Sequence, residues 1–304
     1  MAMFAQRSSY LDFFLIVFAS VSWGTVGVAN RFLYGLGGTN ALSLTFLRLA
    51  IATPVFSLAS GIIVGRRFFS IKRRDLGLMM LMGCLIGLSQ ACYIAAIAWL
   101  GVSIATLIAI CASPVIVALL SALISHQRLT LMTFIALAAA IGGTALLVAF
   151  QSQPVQGGSV SLYGAWLAFL AAAGYAGFVF CGRLLTGSYH PLQISTISFA
   201  TGALLLLVCA SSTRLALAYP ATGWLILLYL GCIPTALGYG LFQVGIRSLS
   251  ATLASIVTMC EPLTAAVLAW LMFREELNAY GLLGAGLLLA AMALILLVPK
   301  RYFE

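Results

Sequence analysis

Long apolar runs follow one another along the chain, parted only by short polar or basic stretches. They lie near 11–34, 41–64, 76–99, 103–125, 131–150, 161–185, 191–210, 222–246, 251–273 and 278–298. A helix needs about 20 apolar residues to cross the hydrocarbon core, and each run meets that length. The pattern predicts an all-α membrane protein of ten transmembrane helices. The longest polar interruption, Gln151–Ser161, is rich in Gly and Ser and carries no charge. It divides five runs from five. The expected organisation is therefore a first five-helix repeat over 1–150, an extracytoplasmic linker over 151–160 and a second five-helix repeat over 161–304.

Internal matches support a duplication. Ala105-Thr106-Leu107 is repeated at Ala251-Thr252-Leu253, and Tyr93 falls on Tyr239 in the same register. Gly83-Cys84 aligns with Gly231-Cys232, and Ser22-Trp23-Gly24 with Gly174-Tyr175-Ala176. Each match is short, but they occur in one order. Two copies of an odd number of spans must point in opposite directions, so the repeat is expected to be of inverted topology.

Composition agrees with this picture and narrows it. The 304 residues are 63% hydrophobic and 7% charged, more apolar surface than a soluble protein of this length can hide. The net charge of +9 comes from short loops, without a basic module, so no nucleic-acid partner is implied. With the N-terminus inside, eleven Lys and Arg residues fall on the cytoplasmic side and three on the outer side. Both termini are therefore expected in the cytoplasm of an inner (plasma) membrane protein. The seven cysteines all sit in apolar runs without CxxC spacing, which reads as packing rather than disulfides or metal binding.

One stretch stands apart, Thr252–Leu277. Its middle holds Glu261 followed by Pro262. A charge at helix centre costs roughly 2.5–3.5 kcal/mol on insertion scales, and proline removes the donor for the carbonyl of Thr258. Pro114 occupies the matching place in the first half, with Ser113 where the second half has Glu261. Helix breaks are expected at both prolines. Glu261 could hold a substrate ammonium, carry a coupling proton, tie helices together, or cap the broken backbone. An intramembrane ionisable group is by default a functional candidate.

Other polar groups lie at similar depth. Ser89 and Tyr93 share one helix face, as do Tyr239 and Gln243, and Gln90 lies beside the first pair. Such faces suit either a cavity or interhelical hydrogen bonds. Trp23 and Tyr175 lie well inside their spans, as core packing or as a stacking wall for a ligand. Arg48 is close enough to the outer end of its helix to snorkel, and a packing and anchoring role is expected for it, with pairing to a carboxylate as the alternative. The abundant glycines, Gly281, Gly284 and Gly286 among them, suit close helix packing. His126 and His190 fall at cytoplasmic ends.

Absences exclude several chemistries. Without GxxxxGK[ST] there is no P-loop. The aspartates, Asp12 and Asp75, lie near helix ends, and no histidine lies at depth, which removes intramembrane aspartyl and serine proteases. Metal-ligand clusters are missing and no cofactor is implied.

The Ser22-Trp23-Gly24 of the first run, the Phe46-Leu47-Arg48 of the second, Glu261-Pro262 and Glu275-Glu276-Leu277 together resemble the EamA-type transporters of the drug/metabolite transporter superfamily. The likeness spans both halves. The first half departs from the pattern at Ser113 and at Gln127-Arg128, where acidic residues would stand. The resemblance implies secondary transport of a small molecule by alternating access, with amino-acid or metabolite export as the leading expectation. A passive channel or facilitator, a multidrug efflux carrier and a membrane scaffold are the alternatives. The expected partners are a small-molecule substrate, an amino acid or a related metabolite, and the lipid bilayer. The candidate binding residues are Trp23, Ser89, Gln90, Tyr93, Tyr175, Tyr239, Gln243 and Glu261. Trp23, Tyr93, Tyr175 and Tyr239 are expected to border one space near mid-membrane.

Overall fold

The structure is a computed structural model and describes residues 2–37, 39–126, 130–149, 161–210, 215–274 and 279–297. The apolar runs are helical: α1 (Ala2–Gly35), α2 (Ala41–Ile63), α3 (Arg73–Gly101), α4 (Ile104–Ile124), α5 (Leu131–Ala149) and α6 (Leu162–Leu185). Then come α7 (Pro191–Ala210), α8 (Ala221–Gly245), α9 (Ala251–Met272) and α10 (Ala279–Leu297). Among the described residues, eight helices are long and apolar enough to cross a membrane. The apolar parts of α5 and α10, Leu131–Leu147 and Ala279–Ile295, are shorter. The expected linker, 151–160, lies outside the described residues, as do Gln127-Arg128 and Glu275-Glu276-Leu277.

Local chemistry sets several helix starts. Asn40, Ser161 and Ser250 each accept a hydrogen bond from the backbone N–H three residues on, so α2, α6 and α9 begin with side-chain caps. Between α3 and α4 there is almost no loop. The chain turns at Gly101, whose φ of 76° and ψ of 166° suit glycine and few other residues.

Helix packing follows a paired scheme. α1 lies against α8 and α9, while α6 lies against the α3–α4 unit. α2 packs on α8, and α7 on the α3–α4 unit. The remaining large contacts join α2 to α7 and α5 to α10. Exchanging the first five helices for the last five leaves this scheme unchanged. The glycines repeat it: Gly83 of α3 sits against Ser198 and Thr201 of α7, and Gly231 of α8 against Arg48 and Ile51 of α2. Large apolar side chains such as Leu58, Ile62, Trp166 and Leu225 point outward, which is the surface lipid requires. Lipid tails are as apolar as leucine, so small residues and interhelical hydrogen bonds hold the helices together.

Candidate functional site

The second predicted break is present, displaced from its proline. α9 consists of two helical pieces, Ala251–Val257 and Cys260–Phe273, joined at Thr258 and Met259. Pro262 cannot donate to the carbonyl of Thr258, but that carbonyl is not left free. The backbone N–H of Glu261 donates to it at 3.0 Å, a tightened turn in place of the lost bond. Thr258 and Ser255 brace the joint by donating to the carbonyls of Ser255 and Thr252, each at 2.8 Å. Glu261 thus enters the first turn of the second piece, where the helix dipole favours an anion. The break expected at Pro114 is absent. α4 keeps helical backbone through it, and the only non-helical residue nearby is Gly101.

Glu261 is half-buried, and its carboxylate has no hydrogen-bond or ion-pair partner among the described residues. α1 presses against its backbone. A Cβ on Gly24 would lie 2.8 Å from the Glu261 carbonyl oxygen and 2.6 Å from Thr264. Four side chains from other helices lie within electrostatic reach of the carboxylate: Arg48, Tyr93, Tyr175 and Tyr239. Arg48 does not snorkel outward as the sequence suggested. It turns into the bundle, and its Nε donates to Thr235 Oγ1 at 3.2 Å.

Thr235 is where it is because of a second proline distortion, which sequence reasoning passed over. Pro234 lies in α8 and denies the carbonyl of Leu230 its helical donor. The helix widens into a π-segment, Gly231–Leu237, and the Thr235 hydroxyl donates to Leu230 at 2.7 Å. Widening also frees the carbonyl of Pro234, because the N–H of Gly238 bonds to Ile233 and Thr235 instead. The indole N–H of Trp23 takes that carbonyl at 2.8 Å. Pro234 between Gly231 and Gly238 was the readable signal.

Aromatic packing surrounds this joint. Trp23 lies 4.6 Å, centroid to centroid, from Tyr239 and 5.5 Å from Phe242. Tyr239 in turn meets Phe199 at 4.9 Å and Phe178 at 5.8 Å, and Phe178 meets Tyr175 at 6.3 Å. Trp23 and Tyr239 are 5% and 7% exposed, so they back a wall rather than face open space. Tyr175 and Tyr93 keep accessible surface. The Tyr93 hydroxyl pairs with Thr106 at 2.6 Å across the α3–α4 turn.

The remaining candidates are used differently. Ser89 donates to the carbonyl of Ala171 at 2.7 Å and so joins α3 to α6. Gln90 is half-buried without a hydrogen-bond partner among the described residues. Gln243 is buried against Gly182, and neither polar atom of its amide has a partner among the described residues. An apolar groove of about 420 Å³ between α1, α8 and α9, lined by Thr25, Phe32, Leu225 and Met272 among others, does not include Glu261. Among the described residues no cluster of His, Cys, Asp and Glu could hold a metal ion.

One end of the bundle is tied by polar contacts. Ser248 donates to Asp12, Arg183 to the Arg247 carbonyl at 3.0 Å, and Gln193 to the Arg67 carbonyl at 3.0 Å. Tyr189 donates to Asp75 at 2.6 Å, and that bond raises its phenol above the usual value. His190 next to it is lowered, first by burial and then by Arg247.

Comparison with known proteins fits a helical membrane transporter. The EamA-like transporter family matches residues 12–149 and 162–297, one match in each half. An uncharacterized transporter of Bacillus subtilis, YwfM, is 26% identical, over 94% of both chains. An uncharacterized transporter of Archaeoglobus fulgidus is 30% identical, over 91% of this chain and 93% of its own. A probable terminal-alkyne amino-acid exporter of Streptantibioticus cattleyicolor is 27% identical, over 92% of this chain and 91% of its own. One solved crystal structure shares the fold, with a TM-score of 0.81 at 18% identity, covering 98% of this chain and 99% of that one. With a matching family model over most of its length in two successive units, this membrane-spanning chain belongs to the EamA-like transporter family.

Proposed function

We propose that the protein is a secondary carrier that exports small zwitterionic metabolites, amino acids first among them, with Glu261 holding the substrate ammonium. The observation that carries this reading is the Glu261 carboxylate itself. It lies mid-way along a spanning helix, half-buried, with no protein partner among the described residues. An unpaired charge at that depth is costly and is retained where a ligand or a proton meets it. The relative named as a probable amino-acid exporter supports the substrate class.

The mechanism follows from the packing. Ten spans in two inverted five-helix halves, 1–150 and 161–304, would rock against one another about the joint of α8 and α9. The exchangeable helix scheme and the paired glycines support that symmetry. α5 and α10 count as spans in this reading, being apolar though short. The basic bias puts both termini in the cytoplasm of the inner membrane. The polar ties at the ends of α2, α6 and α8 then form the cytoplasmic closure.

Reconstitution tests the reading. Proteoliposomes should show saturable amino-acid uptake stimulated by the same amino acid on the other side. Glu261→Gln keeps size and hydrogen bonding but deletes the charge, and should weaken substrate binding by about 1.5–3 kcal/mol. Flux that does not saturate would identify a channel. Wild-type binding and transport in Glu261→Gln would remove Glu261 from the site. Outside labelling of Ser152→Cys, in a background without native cysteines, tests the orientation, and labelling only after permeabilisation would reverse it.

A further inference from the structure

We infer that Arg48 is the carboxylate-binding residue of the same site, so that α2 and α9 together grip an α-amino acid by both its charges. This rests on the reading of Glu261 given above and deepens it. The Arg48 side chain is turned into the bundle, half-buried, and fixed at one point only, by its Nε on Thr235 Oγ1 at 3.2 Å. Its two terminal nitrogens have no acceptor among the described residues. A guanidinium presents a rigid fork of donors that matches a carboxylate, and here the open side of that fork is unfilled.

Glu261 supplies the complementary half. The two charges feel each other, yet no ion pair joins them. Two opposite charges left unpaired in a membrane interior are expensive, and each would gain from its own partner. A ligand that carries an ammonium and a carboxylate on neighbouring atoms satisfies both at once and arrives with no net charge to desolvate. A simple amine satisfies only Glu261 and a simple acid only Arg48. The arrangement therefore selects zwitterions over both. The anchoring bond adds precision, because Thr235 sits on the π-segment that Pro234 imposes on α8 and holds the guanidinium from behind.

The test compares ligands that differ at one charge. The protein, purified in detergent, is titrated with each of the twenty proteinogenic L-amino acids and with their α-amides, and apparent Kd is read from thermal stabilisation. Wild type should prefer the free acid over its amide by about 10- to 100-fold, the scale of a charge-assisted hydrogen bond. Arg48→Gln should bring that ratio close to one while amide binding persists. Thr235→Val, which removes the anchor but not the charge, should keep a preference for the acid. An unchanged ratio in Arg48→Gln overturns the assignment. If that variant does not fold, wild type decides, because equal binding of acid and amide overturns it as well. Binding of no amino acid in either form removes the amino-acid reading altogether, whereas binding of both forms alike removes only Arg48.

Discussion

Trp23 shows how much a single side chain can settle. Its indole N–H bonds to the Pro234 carbonyl in the π-segment of α8, and its ring rests on Tyr239. Trp23→Phe would keep the stacking and delete the donor, leaving the Pro234 carbonyl unsatisfied where water is scarce. The expected loss is about 1–3 kcal/mol, read as a lower melting temperature in detergent. An unchanged melting temperature would mean that another donor reaches the carbonyl. At this scale the sequence disclosed Glu261 and its aromatic neighbours, because a charge among apolar residues is conspicuous. It offered Arg48 as a possible carboxylate partner but favoured an anchoring role. Depth in a helix says where the Cα lies, and the bulge in α8, six helices later in the chain, draws the guanidinium inward. Ser89 was legible as polar and mid-span, but not as spent on the Ala171 carbonyl.

Three of the prolines inside helices meet three different outcomes, which shows why the elements were less readable than their existence. Pro114 leaves the backbone of α4 helical, Pro262 sits behind a tightened turn, and Pro234 widens α8. At Pro262 and Pro234 the freed carbonyls find donors in their own helix, the Glu261 N–H and the Thr235 hydroxyl, and another helix enters only through Trp23 on the Pro234 carbonyl. Pro234→Ala would return a donor to Leu230 and let α8 close toward an ordinary helix. We expect melting temperature to hold or rise while counterflow slows, because Trp23 and Arg48 both lean on the π-segment. A lower melting temperature with normal counterflow would contradict that coupling. The α6–α7 connection offers a pH test. His190 lies below its ordinary value of 6.5, through burial and then Arg247, and its Nδ1 accepts the N–H of Leu192 at 3.3 Å. A base lowered on folding stabilises fully above its unfolded pKa, and that contribution is lost as pH falls through the folded value. Stability should therefore decline below about pH 6.5, and His190→Gln should flatten that acid limb. An identical limb in the variant would assign it to other groups.

The two halves of the molecule meet face to face at α5 and α10, and the contact is reciprocal. A Cβ on Gly143 would lie 2.7 Å from the Gly284 carbonyl oxygen, and a Cβ on Gly284 would lie 2.6 Å from the Gly143 carbonyl oxygen. Glycine content alone pointed to close packing somewhere in these helices, but not to which glycine. Gly142 and Gly286 have nothing within 4 Å of a built Cβ. Neighbours in sequence should thus respond in opposite ways. Gly143→Val and Gly284→Val should each cost about 1–3 kcal/mol by overpacking, while Gly142→Val and Gly286→Val should sit close to wild type. Thermal melting in detergent reads all four. The reciprocal geometry makes a stronger demand. Either Gly→Ala change has to push the same two backbones apart, and once they are apart the second methyl enters space already opened. Gly143→Ala and Gly284→Ala combined should therefore cost less than their separate costs added together. Strict additivity would mean that the two glycines do not share one gap, and the seam between the halves would then have to be sought at α2 and α7.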